Sequence, residues 1–108
     1  MVNIRIYRDT AGEIHRFTAK GHTGFAPHGE DIVCAAVSVL LLTAILGLEE
    51  LAKAELSVEM SDGSLECRIL AGKGNGIVTS TILNTMLLGL QAIETDYGDF
   101  IEVSEIGV

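Results

Sequence analysis

The chain has 108 residues, 48% of them hydrophobic, with 7 Lys and Arg against 15 Asp and Glu, which give a formal net charge of −8. That length fits a single domain over residues 1–108, with enough apolar content for a core that needs neither disulfides nor a metal. The composition excludes a disordered chain, because disorder needs low hydrophobicity, and it argues against direct nucleic-acid binding, because that needs a basic footprint.

In chain order, alternating apolar residues predict a strand at Val2–Arg8, and a turn at 9–12 leads into a second strand at Glu13–Lys20. A glycine-rich loop, Gly21–Gly29, precedes a long helix that we expect to run from an N-cap at Asp31 to about Lys53. A hairpin follows, in which a strand at Glu55–Ser61 with Leu56, Val58 and Met60 inward is joined by an Asp-Gly turn to a strand with Leu65, Cys67 and Ile69 inward. After a loop at Ala71–Gly76, a second helix is predicted at Ile77–Tyr97, with one apolar stripe formed by Ile82, Met86, Leu90, Ile93 and Tyr97. The last element is a strand at Asp99–Glu105 with Ile101 and Val103 inward.

This order, ββαββαβ, predicts an α+β fold. Strands with one apolar and one polar face imply a sheet that is covered on one side only. We therefore expect a two-layer sandwich in which two helices pack on one face of a mostly antiparallel five-stranded sheet.

The distribution of charge indicates what kind of partner the protein prefers. Four of the seven basic residues lie in the first twenty positions, and eleven of the fifteen acidic residues lie from Glu49 onward. The acidic field favours a basic or neutral partner over a phosphate-rich one.

The compartment is predicted to be the cytoplasm. The first residues interleave charge with apolar side chains, unlike a signal peptide, and two cysteines are too few for a disulfide framework. The uncharged segment Ile32–Leu48 has 17 residues, the lower limit for a membrane span, but acidic residues flank it where a span would have basic anchors. We expect a core helix with a further apolar face for a neighbouring helix or a second subunit, not a membrane segment.

Cys34 is the residue of greatest chemical interest. If Asp31 caps the helix, Cys34 lies in the first turn, where unpaired N–H groups and the helix dipole favour a thiolate, the nucleophilic form of cysteine. The carboxylate of Asp31 opposes this effect. A nearby histidine, His22 or His28, would favour the thiolate as proton acceptor or as imidazolium. The pattern is typical of a Cys–His pair for nucleophilic catalysis.

Two other interpretations of the same residues stay open. From residue types alone, the favoured interpretation is that Cys34 is a small core residue, with both histidines in solvent. A metal site at His22, His28, Asp31 and Cys34 is a further alternative, although the spacing matches no zinc pattern. We expect no metal and no cofactor.

Ser38 follows Cys34 by one helical turn, so it either hydrogen-bonds near the site or back-bonds to the carbonyl four residues earlier. Cys67 is predicted to be core. His15 has no evident partner. The glycine-rich segment 72–76 lacks the spacing of a phosphate-binding loop and is read as a turn.

The segment 21–38 resembles the ribosomal-processing cysteine proteases, the Prp family. The pattern Gly-His-x-Gly-aromatic-Ala followed by Gly-x-Asp-Ile-Val-Cys-Ala-Ala-Val-Ser is matched at Gly21, His22, Gly24, Phe25, Ala26, Gly29, Asp31, Ile32, Val33, Cys34, Ala35, Ala36, Val37 and Ser38. Thr23 departs from the small residue expected there, and Pro27 and His28 fall at variable positions. Chain length and element order agree with the family as well.

The resemblance implies a cysteine endopeptidase that removes the short, basic and apolar N-terminal extension of a large-subunit ribosomal protein, number twenty-seven. It places the nucleophile at Cys34 and the base at His22, and it implies a homodimer. Asp31 would then cap the helix and orient His22, and Gly21, Gly24 and Gly29 would let the loop move over a bound peptide. N–H groups at the helix start, including that of Cys34, would stabilise the oxyanion. The alternative is a non-catalytic, ribosome-associated binding module with the same fold.

Overall fold

A computed structural model describes residues 1–21, 30–70 and 74–107, with the backbone alone for residues 30 and 31. The elements, in chain order, are β1 (Val2–Arg8), β2 (Ile14–Lys20), α1 (Glu30–Glu50), β3 (Leu56–Ser61), β4 (Ser64–Ile69), α2 (Gly76–Tyr97) and β5 (Ile101–Ile106). The predicted ββαββαβ order is confirmed, and the predicted element ends lie within two residues of the observed ones except at the end of α1, which is Glu50 and not about Lys53.

The five strands form one mixed sheet in the order β3-β4-β2-β1-β5. β1 pairs with β2, β2 with β4 and β3 with β4 in antiparallel fashion, whereas β1 and β5 are parallel. The parallel pair is possible because α2 carries the chain back across the sheet between β4 and β5. The predicted mostly antiparallel five-stranded sheet is therefore confirmed.

The core lies between the two helices and one face of this sheet. Strand β1 alternates as predicted, with Val2, Ile4 and Ile6 buried. Strand β2 is less regular because Tyr7 pairs with Arg16 while Arg8 pairs with Ile14, which leaves one extra residue, His15, in a bulge. The helices contribute further large core side chains, which are Val33, Val37, Leu41, Ile45 and Leu48 from α1 and Leu83, Met86, Leu87 and Leu90 from α2.

The two helices are held close together by small residues. A Cβ on Gly89 would lie 2.9 Å from a methyl carbon of Leu40, and one on Gly47 would lie 3.4 Å from Ile82. Helix α2 begins after Asn75, whose side-chain oxygen accepts a hydrogen bond from the Val78 N–H at 3.0 Å. This N-cap fixes the start of α2 at the end of the glycine-rich segment.

Three of the residues predicted to point into the core are exposed. Tyr97, the last residue of α2, is 39% exposed, and Val58 and Met60 of β3 are 37% and 64% exposed. Val58 pairs with the buried Cys67, so both β3 side chains lie on the core face of the sheet. Because β3 is an edge strand, this part of the core face extends beyond the cover that the helices provide.

Both helices are long and apolar enough to cross a membrane by length and composition alone. In α1, however, one side of the helix packs into the core through Val33, Val37 and Leu41. Packing against the sheet therefore explains much of the apolar sequence of α1, the helix whose uncharged segment has the length of a short membrane span.

Candidate active site

A cavity of about 310 Å³ opens beside Cys34, at the corner where α1 begins and the β3–β4 hairpin turns. We call it the Cys34 cavity. The described residues that line it are Val2, Ala19, Gly21, Cys34, Val37, Ser38, Leu41, Leu42, Met60, Ser61, Gly63, Ser64 and Leu65. Cys34 itself is half-buried and packs against the edge of the core. A thiol in this position is fixed by packing on one side and open to a ligand on the other.

Gly21 anchors the start of the predicted catalytic loop at the same cavity. Its φ is +101°, in the left-handed region, and a Cβ there would collide with the backbone carbonyl oxygen of Met1. Its N–H donates a hydrogen bond to the carbonyl oxygen of Gly63, 2.9 Å away in the hairpin turn. Only glycine combines this backbone conformation with this close approach. Gly21, which directly precedes His22 in the sequence, is therefore a fixed point on the cavity wall.

Asp31 is not the N-cap of α1. The helix begins at Glu30, so Asp31 is already helical. Cys34 is consequently the fifth residue of the helix, and its N–H is used in the helical ladder with the Glu30 carbonyl. The expectation that the Cys34 N–H stabilises an oxyanion is therefore corrected: the unpaired N–H groups belong to the residues before it. The dipole also acts more weakly on Cys34 than a position in the first turn would imply.

Ser38 lies one turn after Cys34, is exposed and lines the same cavity. The structure thus brings together three of the residues that the sequence singled out: Gly21, Cys34 and Ser38. His22, Gly24 and Gly29 lie outside the described residues, as does the side chain of Asp31. The assignment of His22 as base stays a prediction from the sequence.

The metal alternative rests on the same segment. His22, His28 and the side chain of Asp31 lie outside the described residues, which leaves Cys34 as the one proposed ligand that the structure describes. Within the described residues, no group of three or more His, Cys, Asp or Glu side chains is arranged to hold a metal ion.

Cys67 is confirmed as a core residue. It is fully buried, and burial, reinforced by the negative charge of Glu49, raises the pKa of its thiol to about 12. A buried thiol of this kind is inert at neutral pH. The two cysteines are therefore chemically distinct, because only Cys34 lines a cavity that a substrate can enter.

The β3–β4 hairpin is the part of the site that the sequence analysis missed. Met60, Ser61, Gly63, Ser64 and Leu65 supply one wall of the Cys34 cavity, and the Gly63 carbonyl accepts a hydrogen bond from the Gly21 N–H. The sequence predicts the Asp-Gly turn but does not indicate which neighbouring segment this turn contacts. That neighbour is set by the pairing of β4 with β2, which brings Ser64 opposite Lys20, one residue before Gly21.

Comparison with known proteins decides the family. The family model described as cysteine protease Prp matches residues 1–102. The chain belongs to the Prp family of cysteine proteases. It is 29% identical over 108 residues to the ribosomal processing cysteine protease Prp of Bacillus subtilis (strain 168), a match that covers 96% of each chain.

Solved structures agree with this assignment. Prp from Staphylococcus aureus in complex with a substrate peptide superposes with a TM-score of 0.89 at 26% identity, covering 97% of this chain and 99% of that one. The same enzyme with a covalently linked product peptide gives a TM-score of 0.85 at 27% identity, with the same coverage. The chain is accordingly a cysteine protease with the α+β fold of Prp, and the alternative of a non-catalytic binding module is set aside.

Proposed function

We propose that this chain is an endopeptidase that removes the N-terminal extension of large-subunit ribosomal protein number twenty-seven by a Cys34–His22 mechanism. The observation that carries the proposal is the position of Cys34 on an open cavity, since the second thiol, Cys67, is fully buried. The B. subtilis relative is named a ribosomal processing protease, and the S. aureus enzyme binds a substrate peptide. Both facts support a ribosomal precursor as the substrate.

The proposed mechanism proceeds in two steps. In the first step, His22 accepts the proton of the Cys34 thiol, and the thiolate attacks the scissile carbonyl carbon to form a tetrahedral intermediate. When this intermediate collapses, the C–N bond breaks and His22 returns the proton to the leaving amine. Water then attacks the thioester, with His22 as base, and releases the N-terminal fragment as a carboxylate and Cys34 as a thiol. Because Cys34 is the fifth residue of α1, activation depends more on His22 than on the helix dipole.

The charge of the protein suits the proposed substrate. A short basic extension is attracted to a protein with a formal net charge of −8. Ribosomal precursors are made in the cytoplasm, which is where we propose that the protein acts.

Incubation with the precursor tests this function. We expect the protein to cut a synthetic peptide that spans the extension of ribosomal protein twenty-seven from the same organism at one bond, as read by mass spectrometry. A scrambled peptide of the same composition should stay intact, because cleavage depends on the sequence around one bond and not on net charge alone. Binding of the true peptide without cleavage between pH 6 and 9 would contradict the proposal.

We further propose that the protein acts as a homodimer that pairs through the outer face of α1. Ile32, Val39 and Leu46 recur every seven residues along the uncharged segment 32–48 of this helix, and they are 50%, 65% and 60% exposed. A regular apolar stripe on an acidic protein favours burial against an identical stripe, because no like charges then meet.

Charge placed on this stripe should dissociate the dimer. We expect Val39→Glu to sediment as a monomer at a concentration at which the parent is a dimer, because a buried, unpaired carboxylate costs several kcal/mol. Leu88→Glu is the matched control, since Leu88 is 68% exposed but lies on α2. The proposed face is wrong if both variants sediment like the parent, or if only Leu88→Glu is monomeric.

A further inference from the structure

One face of the sheet is not covered by either helix. Both helices pack on the face that carries Val2, Ile4 and Ile6, so the alternate residues of the strands point away from the core. On the three central strands, the pairing register places these alternate residues in three rows, which are Asn3, Lys20 and Ser64, then Arg5, Thr18 and Glu66, then Tyr7, Arg16 and Arg68. We call these nine residues the open-face patch.

The open-face patch concentrates the positive charge of the protein. It holds four of the seven Lys and Arg residues and one of the fifteen Asp and Glu residues, so its formal charge is +3. Since the whole chain carries −8, the residues outside the patch carry −11. Glu59 of β3 and Glu102 of β5 flank the patch, at the register positions opposite Glu66 and Asn3. The patch is therefore a basic stripe on an acidic protein.

Part of the open-face patch is a preorganised cluster of guanidinium groups. The Glu66 carboxylate accepts hydrogen bonds from Arg16 Nη2 at 2.9 Å and from Arg68 Nε at 2.8 Å. These bonds, that from Arg68 foremost, hold the pKa of the Glu66 carboxyl below its ordinary value. The Arg16 guanidinium also lies 4.5 Å from the centroid of the Tyr7 ring. Because two cations share one anion, one positive charge stays unneutralised on side chains that are held in place.

Arg5 and Lys20 supply two further positive charges. Both residues are exposed, and within the described residues neither makes a hydrogen bond or an ion pair. Arg5 pairs with Thr18, which lies two residues before Lys20 on the same face, so the two charged side chains start from positions about 7–8 Å apart. An anionic polymer that lies across the central strands can contact both of them at once.

The net charge of the whole chain argues against nucleic-acid binding, but it does not describe the field at the open-face patch. At an ionic strength of 0.15 M, exposed charges are screened beyond about 8 Å. Glu49 and Glu50, for example, end α1 in the helical layer on the other side of the sheet, and the shortest dimension of the protein is 20 Å. A phosphate group at the patch is therefore influenced mainly by the basic residues of the patch.

We propose that the open-face patch binds single-stranded RNA, with Arg5 and Lys20 on the phosphates and the Arg16 guanidinium as a platform for a base. The stacking of Arg16 on Tyr7 favours RNA over an acidic peptide, because a carboxylate uses the charge but not the planar surface. The bound strand lies on the face of the sheet opposite to Cys34, so RNA and the proposed substrate do not compete. The inference goes beyond the proposed function and does not depend on cleavage by Cys34.

Fluorescence anisotropy with a labelled oligouridine of 20 nucleotides tests the RNA site. At 0.15 M salt we expect the parent to bind with a Kd of about 10⁻⁵ M, as is typical of contacts made through phosphates. The double variant Arg5→Gln/Lys20→Gln should bind at least about tenfold more weakly. Its plot of log K against log salt should be flatter by about 1.4, which is about 0.7 for each lost phosphate contact.

Lys53→Glu is the matched control for the double variant. It lowers the formal net charge by two, as the double variant does, but Lys53 lies between α1 and β3, outside the open-face patch. We expect it to bind oligouridine like the parent. Circular dichroism should show that both variants are folded, because every replaced residue is exposed. An equal loss of binding in Lys53→Glu and the double variant would overturn the inference, because net charge alone would then explain it.

Measurements on the parent protein alone also test the inference. It is overturned if oligouridine does not bind even at 0.05 M salt, or if a poly-glutamate peptide of the same charge binds as tightly, which would identify a site for acidic protein segments. Saturating oligouridine should leave cleavage of the extension peptide within about twofold, and inhibition would place the RNA at the Cys34 cavity and refute the proposed face. A protein that binds oligouridine but cuts no peptide would refute the proposed function and leave this inference standing.

Discussion

Replacement of Cys34 by alanine is expected to abolish peptide cleavage, with kcat reduced by at least about a thousandfold, because in the proposed mechanism this residue supplies the sulfur that bonds to the scissile carbonyl. The fold should be unaffected, since Cys34 is only half-buried and its loss removes one small side chain at the edge of the core. The measurement is kcat on the extension peptide, with circular dichroism to show that the variant is folded.

Cys67→Ala is the matched control for this experiment. It removes the other thiol, which is fully buried and has a pKa raised to about 12. We expect this variant to be less stable, because it leaves a small cavity in the core, but to keep the activity of the parent per folded molecule. Native protein treated with iodoacetamide at pH 7 should gain one adduct, on Cys34, and none on Cys67. Full activity in Cys34→Ala would refute the proposed mechanism.

Gly21→Ala is expected to produce the second large effect, a loss of both stability and activity. A non-glycine residue at a φ of +101° costs about 1–2 kcal/mol, and the added Cβ would also displace the carbonyl of Met1 or the hairpin at Gly63. Because His22 is the next residue, a shift of about 1 Å at Gly21 should lower kcat/KM by roughly a hundredfold. Chemical denaturation and steady-state kinetics measure the two effects separately.

Gly12→Ala separates backbone strain from this positioning effect. Gly12 has a similar φ of +82°, but a Cβ there would meet nothing within 4 Å, and the residue lies in the β1–β2 turn. We expect a loss of about 1 kcal/mol in the free energy of unfolding and an unchanged kcat/KM. If Gly21→Ala behaves in the same way, Gly21 has no role in positioning the site.

Met60, on the edge strand β3, is exposed and lines the Cys34 cavity. Met60 and Leu42 form an apolar surface at the mouth of the site, and the residues that line the cavity come from α1, the β3–β4 hairpin, the end of β2 and the start of β1. Four separate segments converge on one corner because β4 pairs with β2 on the side opposite β1. A substrate that binds there contacts parts of the chain that are distant in sequence.

The sequence by itself determined the order of the elements and the faces of the central strands. Period-two alternation is a local property, so Val2, Ile4 and Ile6 could be assigned to the core without knowledge of their neighbours. Local chemistry, a cysteine near the start of a helix that follows a glycine-rich loop, likewise singled out Cys34 as a candidate nucleophile, and this role stays a prediction. The family resemblance covered essentially the whole chain, and the match of the family model over residues 1–102 confirmed the family.

Only the tertiary structure decided which strand is at the edge of the sheet, where α1 begins and what surrounds Cys34. Met60 has the alternation of a core residue, but its exposure depends on how far the helices extend over β3, which is a long-range property. The start of α1 at Glu30 in place of an Asp31 cap, and the contact of Gly21 with Met1 and Gly63, depend on backbone geometry that residue types do not specify. Local patterns fix the elements because they arise from side chains within a few residues of one another, whereas the site is assembled from segments whose proximity is set by strand order.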